Sequence, residues 1–131
     1  MNGWRGAIAL VAALALPAAA GHSLQGPLLT IDPASLQRLQ AEHRPLTLVD
    51  VRPAERYTNG RLPGARSIPL EALTRRHGEI PGATLVVLYG ADGVDEAATA
   101  ARYLRTAGHP DVFVLEGGFT GWQARGLGVE R

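Results

Sequence analysis

Leu46-Thr47-Leu48-Val49-Asp50-Val51 runs into Arg52, and Thr84-Leu85-Val86-Val87-Leu88-Tyr89 runs into Gly90-Ala91-Asp92-Gly93-Val94-Asp95. Both hexapeptides are almost wholly apolar and rich in β-branched residues. A strand that can afford polar groups on neither face is one covered on both, which is the environment of a parallel sheet. Asp50 falls at the C-terminal end of the first run, and open α/β sheets gather their ligand-binding groups at that edge. The second run is the strongest strand signal in the chain.

The segments between strands read as helices and turns. Leu28-Leu29-Thr30-Ile31 is β-prone. Asp32-Pro33 then supplies an N-cap and a proline at the first helical position, and Leu36 and Leu39 share one face of a short helix ended by His43-Arg44-Pro45. A turn-rich loop covers residues 60–64, a second short strand covers 65–68 and stops at Pro69, and a short helix is expected over 70–77. After the loop at 90–95 a helix is expected over 96–107, with Ala97, Ala100, Ala101 and Leu104 inward and Gly108 just past its end. A last strand covers 112–115, Gly117-Gly118 turns the chain, and a final helix over 119–125 carries Trp122. Strands alternating with helices predict an α/β fold with a parallel sheet between helical layers.

The first 20 residues differ from the rest. Arg5 precedes an apolar run over residues 7–16, Pro17 breaks it, and Ala18-Ala19-Ala20 offers small residues for a signal peptidase. This is the pattern of a secretory signal peptide, with cleavage expected after Ala20 and a periplasmic or secreted destination. An uncleaved anchor is the competing reading, but the apolar run is about half the ~20 residues a bilayer span needs. No membrane association is expected after cleavage. Residues 21–27 form a lead-in, 28–126 the domain and 127–131 a C-terminal tail. All 13 basic residues are arginine, 12 residues are acidic, and the net charge is +1. With no clustered basic face, nucleic acid is not an expected partner. The four histidines lie at turns or termini without metal-ligand spacing and are expected at the solvated surface. No cofactor or metal is expected.

Asp50-Val51-Arg52, Glu55, Tyr57 and Gly60, then Leu62-Pro63-Gly64-Ala65 and Ile68-Pro69-Leu70, resemble the N-terminal signature of the rhodanese-like domain. Val112-Phe113-Val114-Leu115-Glu116-Gly117-Gly118-Phe119, with Trp122, resembles the C-terminal one. The resemblance implies a three-layer α/β/α fold around a five-stranded, mostly parallel sheet. It also implies a site in the loop after Tyr89, where active members begin with a cysteine that carries sulfur as a persulfide. Loop N–H groups and a helix N-terminus would there form an anion cradle that lowers the thiol pKa.

This chain has no cysteine at all, and Gly90 stands at that position. The loop carries Asp92, Asp95 and Glu96, whose charge opposes any anion, and is about one residue longer than in common single-domain sulfurtransferases. Arg61 stands where the family usually has histidine. The candidate binding residues are therefore Gly90, Ala91, Asp92, Gly93, Val94, Asp95 and Glu96, with Asp50, Arg52 and Arg61. No residue is assigned as catalytic.

Each has a bland reading beside the functional one. Asp50 is either a catalytic carboxylate or, as favoured, an anchor for the turn at 52–60 through an arginine, with Arg52 and Glu55 in one ion-pair network. Asp92, Asp95 and Glu96 are either an oxygen-ligand cation site or acids placed to suit the helix dipole. The function expected is a non-catalytic binding or accessory module whose partner is a protein or small ligand. The alternatives are residual sulfurtransferase activity and a carboxylate- or metal-based enzyme reusing the pocket.

Overall fold

A computed structural model describes residues 26–131; the signal-peptide reading of residues 1–20, its cleavage site and most of the lead-in lie outside them. The elements run β1 (Thr30–Ile31), α1 (Pro33–Ala41), β2 (Leu46–Asp50), α2 (Ala54–Asn59), β3 (Arg66–Ser67), α3 (Leu73–Arg76), β4 (Leu85–Tyr89), α4 (Asp95–Thr106), β5 (Val112–Leu115) and α5 (Gly118–Ala124), with short 3₁₀ turns flanking α3. The five strands form one sheet in the order β1-β5-β4-β2-β3. Every strand pair is parallel.

The period of a strand divides the core in two. Val86 and Leu88 of β4 join Val49, Val112 and Val114 on one face, under Ala97, Ala100, Ala101 and Leu104 of α4 and Leu73 of α3. Val87 and Tyr89 join Leu48 and Leu115 on the other, under Leu36 of α1 and Trp122 of α5. The result is the expected three-layer α/β/α arrangement. The run of alanines on α4 lets that helix approach the sheet closely, and all of Ala97, Ala98, Ala100 and Ala101 are buried.

Local signals explain the helix ends. Asp32 caps α1, accepting from Ser35 N at 3.2 Å and Ser35 Oγ at 2.6 Å. α4 has no side-chain cap, but Asp95 and Glu96 occupy its first turn, where negative charge suits the helix dipole. Gly108 follows it at φ +100°.

Some expectations need correction. β1 and β3 are two residues each, shorter than the runs read for them, because an edge strand extends only as far as its single neighbour pairs with it. Residues 127–131 are not a free tail. Leu127 and Val129 pack on the Trp122 side of the core, the Trp122 indole N–H donates to Gly128 O at 2.8 Å, and Glu130 forms a bridge with Arg61. Two histidines are less exposed than expected: His109 is buried and His77 half-buried, their rings meeting edge to face at 5.9 Å. Arg76, at the end of α3, pairs with Glu79 and donates to Ser67 O at 3.0 Å. Among the described residues no helix is long and apolar enough to cross a membrane.

Candidate functional site

Asp50 ends β2 and Tyr89 ends β4, directly opposite each other in the register. The two strands thereby deliver both side chains to the C-terminal edge of the sheet. Asp50 is fully buried and is saturated with donors. Arg52 gives it a backbone N–H at 2.9 Å, Nε at 3.0 Å and Nη2 at 2.7 Å. The Tyr89 hydroxyl donates to it at 2.7 Å and accepts from Leu62 N at 3.1 Å. Arg52 Nη2 also donates to Gly60 O at 2.7 Å. This network ties both ends of the 52–62 segment to the sheet, and a carboxylate so enclosed positions a loop rather than exchanging protons with a substrate.

The electrostatics follow. Burial alone would lower the Arg52 pKa, but the hydrogen bonds and charge of Asp50, helped by Tyr89, outweigh it and hold the guanidinium above its ordinary value. Burial, and then the Asp50 charge, push the Tyr89 phenol well above its ordinary range. Both shifts favour the protonated forms, a cationic guanidinium and a neutral phenol. Glu55, expected to join the network, is exposed in the first turn of α2 and makes no ion pair among the described residues.

The loop after β4 has a different logic. Gly90 is buried and Ala91 half-buried. Their carbonyls accept the first N–H groups of α5: Phe119 N at 2.9 Å from Gly90 O, and Thr120 N at 2.8 Å from Ala91 O. Gly118 makes this approach feasible. It sits at φ +59°, and a Cβ there would stand 2.9 Å from Gly90 O, so a side chain is excluded both by conformation and by space. On the other side, Glu96 folds back and accepts the Ala91 N–H at 2.8 Å. The same carboxylate oxygen lies 2.7 Å from where a Cβ on Gly90 would be. The backbone N–H groups of Asp92, Gly93, Val94, Asp95 and Glu96 have no protein acceptor among the described residues.

The remaining candidates do not all converge. Asp92 and Asp95 are exposed. Among the described residues no three acidic or histidine side chains gather as a metal site would require. Arg61 turns away from the loop: its guanidinium stacks over Tyr57 at 4.6 Å and approaches Glu130 at 3.9 Å. Arg56 instead lines the cleft beside the loop, with Arg52, Asn59, Phe119, Thr120 and Gln123. Apart from Arg52, these residues were missed, although Phe119 stands within the C-terminal signature. Arg56 lies four residues after Arg52, but a lone exposed arginine on a short helix carries no signal of its own.

A fully parallel, doubly covered sheet with a loop and cleft at the C-terminal end of its central strand defines an open α/β domain, a class whose ligand sites lie at that edge of the sheet. The chain belongs to the rhodanese-like domain family, whose profile matches residues 32–125. It is 32% identical over 99 residues to a sulfurtransferase of Allochromatium vinosum, covering 76% of this chain and 92% of that protein. It is 40% identical over 114 residues to an HTH-type transcriptional regulator of Mycobacterium tuberculosis, covering 86% of this chain but only 49% of the regulator. The solution structure of a rhodanese-like domain from an Anabaena protein superposes with a TM-score of 0.70 at 32% identity, covering 77% of each chain.

Proposed function

We propose that this is an exported, non-catalytic rhodanese-like module that binds a partner protein or small ligand at the C-terminal edge of its sheet. The observation that carries the reading is the Glu96 carboxylate beside Gly90. The chain has no cysteine to hold sulfur, and the space next to Gly90 is filled by a fixed negative charge bonded to the loop's own Ala91 N–H. A carboxylate there serves the loop as an internal anion. It satisfies a donor and opposes an incoming thiosulfate or persulfide. The two exposed acids Asp92 and Asp95 add to that opposition.

What remains is a rigid scaffold with a loop and a cleft at the ligand-binding edge, held by the buried Asp50–Arg52–Tyr89 network. Export rests on the charge and hydropathy pattern of residues 1–20. It is tested by sequencing the N-terminus of protein recovered from separated cell fractions. The non-catalytic reading is tested with thiosulfate and cyanide. Thiocyanate formation at the rate of a protein-free control is expected, and a rate well above that control would overturn the reading.

A further inference from the structure

Between α2 and α5 lies a cleft of about 280 Å³. Its floor is Arg52, whose side chain is only 4% exposed. That guanidinium is fixed from three directions: by the Asp50 carboxylate, by Gly60 O, and by the Phe119 ring packed 4.1 Å from Cζ. Its Nε and Nη2 groups are spent on those bonds, whereas Nη1 has no protein acceptor among the described residues. Arg56 stands on the α2 wall, exposed and without a carboxylate partner among the described residues. Asn59 on the same wall, and Thr120 and Gln123 on the α5 wall, likewise spend no side-chain hydrogen bond on the protein among the described residues. Among the described residues no acidic side chain lines the cleft.

We infer that this cleft binds a small organic carboxylate, its charged end held between Arg52 Nη1 and Arg56 and its remainder among Asn59, Thr120 and Gln123. The inference rests on the proposed binding function only in treating this sheet edge as the ligand face. Planar guanidinium donors match carboxylate geometry. Because Arg52 is already locked, little side-chain entropy is lost when a ligand arrives. The volume is at the lower limit of ligand pockets, which run from about 300 Å³ upward, so a short acid fits and a nucleotide does not. Neutral amides on both walls and a hydroxyl on one favour a ligand with a body over a bare inorganic oxyanion.

The test is a titration of the full chain with succinate, followed by ¹⁵N NMR, with sulfate at matched ionic strength as the comparison. Saturable shifts are expected at Gly60, Thr120 and the Asn59 and Gln123 side-chain amides, with weaker binding of sulfate. Arg56→Ala should weaken succinate about tenfold, the scale of one charge-assisted contact, and its spectrum reports whether the fold is kept. Gln123→Glu, which adds a carboxylate to the cleft, should abolish binding. The inference is overturned by shifts confined to residues 91–96, by equal affinity for sulfate, by an unaffected Arg56→Ala variant, or by no saturable shift. Thiocyanate formation above background would instead end the non-catalytic reading, and the two readouts are independent.

Discussion

Glu96 reaches back across the loop to accept the Ala91 N–H at 2.8 Å, placing its carboxylate beside Gly90. A cysteine placed at Gly90 alone is therefore expected to gain little reactivity. In a Gly90→Cys variant the thiol must displace or abut a carboxylate, and a neighbouring negative charge disfavours the thiolate. Alkylation by iodoacetamide should show a thiol pKa above the ordinary value of about 8.5. Adding Glu96→Gln should lower it, raising the alkylation rate at neutral pH by about tenfold, the equivalent of one pKa unit. Identical pH profiles for the single and double variants would show that Glu96 does not govern the site's electrostatics.

The buried pair of Asp50 and Arg52 is expected to be costly to break from either side. Arg52→Ala leaves a fully buried carboxylate with one fewer charged partner, and Asp50→Ala leaves a buried guanidinium uncompensated. Each should cost about 3–5 kcal/mol in urea unfolding. Tyr89→Phe removes a donor to Asp50 and the acceptor of the Leu62 N–H. It should cost about 1–3 kcal/mol. Losses in the Arg52/Tyr89 double variant should fall short of the sum, because both act on one carboxylate. Strict additivity would mean that the network is not a unit.

Gly118 separates conformational strain from contact with the loop. Gly118→Ala imposes a left-handed backbone on a residue with a Cβ and drives that Cβ against Gly90 O, Asp92 N and the Ala91 carbonyl carbon, all backbone atoms that cannot rotate aside. Gly126→Ala imposes a similar conformation, φ +73°, with no atom near. Left-handed strain costs of order 1–3 kcal/mol, so Gly126→Ala should show that alone. Gly118→Ala should cost more and should also shift the NMR signals of residues 90–92. Equal losses in the two variants, with no shift in the loop, would mean that the α5 N-terminus does not position it.

The central strands were legible because β2 and β4 are buried on both faces, and such strands must be written almost wholly in apolar residues. The edge strands were less so: whether Leu28-Leu29 pairs depends on β5, not on its own composition. The C-terminal segment misled because Leu127 and Val129 alternate with Gly126 and Gly128, which reads as loop, while the contact with Trp122 that orders it is tertiary. At the site, Asp50 and Arg52 were legible from their position at a strand end, while Gly90 as the nucleophile's position rests on the resemblance alone. The bond from Ala91 to Glu96 was not legible, since it is a rotamer choice spanning a loop. Nor was the exchange of roles between Arg56 and Arg61, which is decided by where Glu130 and Tyr57 draw the Arg61 side chain.

The depressed pKa of His109 predicts a sensitivity of the fold to mild acid. Burial, and then the charge of His77, depress its pKa below the ordinary 6.5. Beside it, His77 Nδ1 is buried without a hydrogen-bond partner among the described residues. Between the folded pKa and 6.5 the unfolded chain binds more protons than the folded one at this position. Stability is therefore complete above about pH 6.5 and is lost as pH falls through the folded value. The carboxylates with depressed pKa values, Asp32 and Glu79, lose their contributions only below their ordinary values of 3.8 and 4.5. The window just below pH 6.5 is thus where the His109 shift acts. The urea midpoint should fall across that window in the parent chain and fall less in a His109→Gln variant. A parent midpoint that is flat across the window, or an equal slope in the variant, would show that His109 does not carry the acid sensitivity.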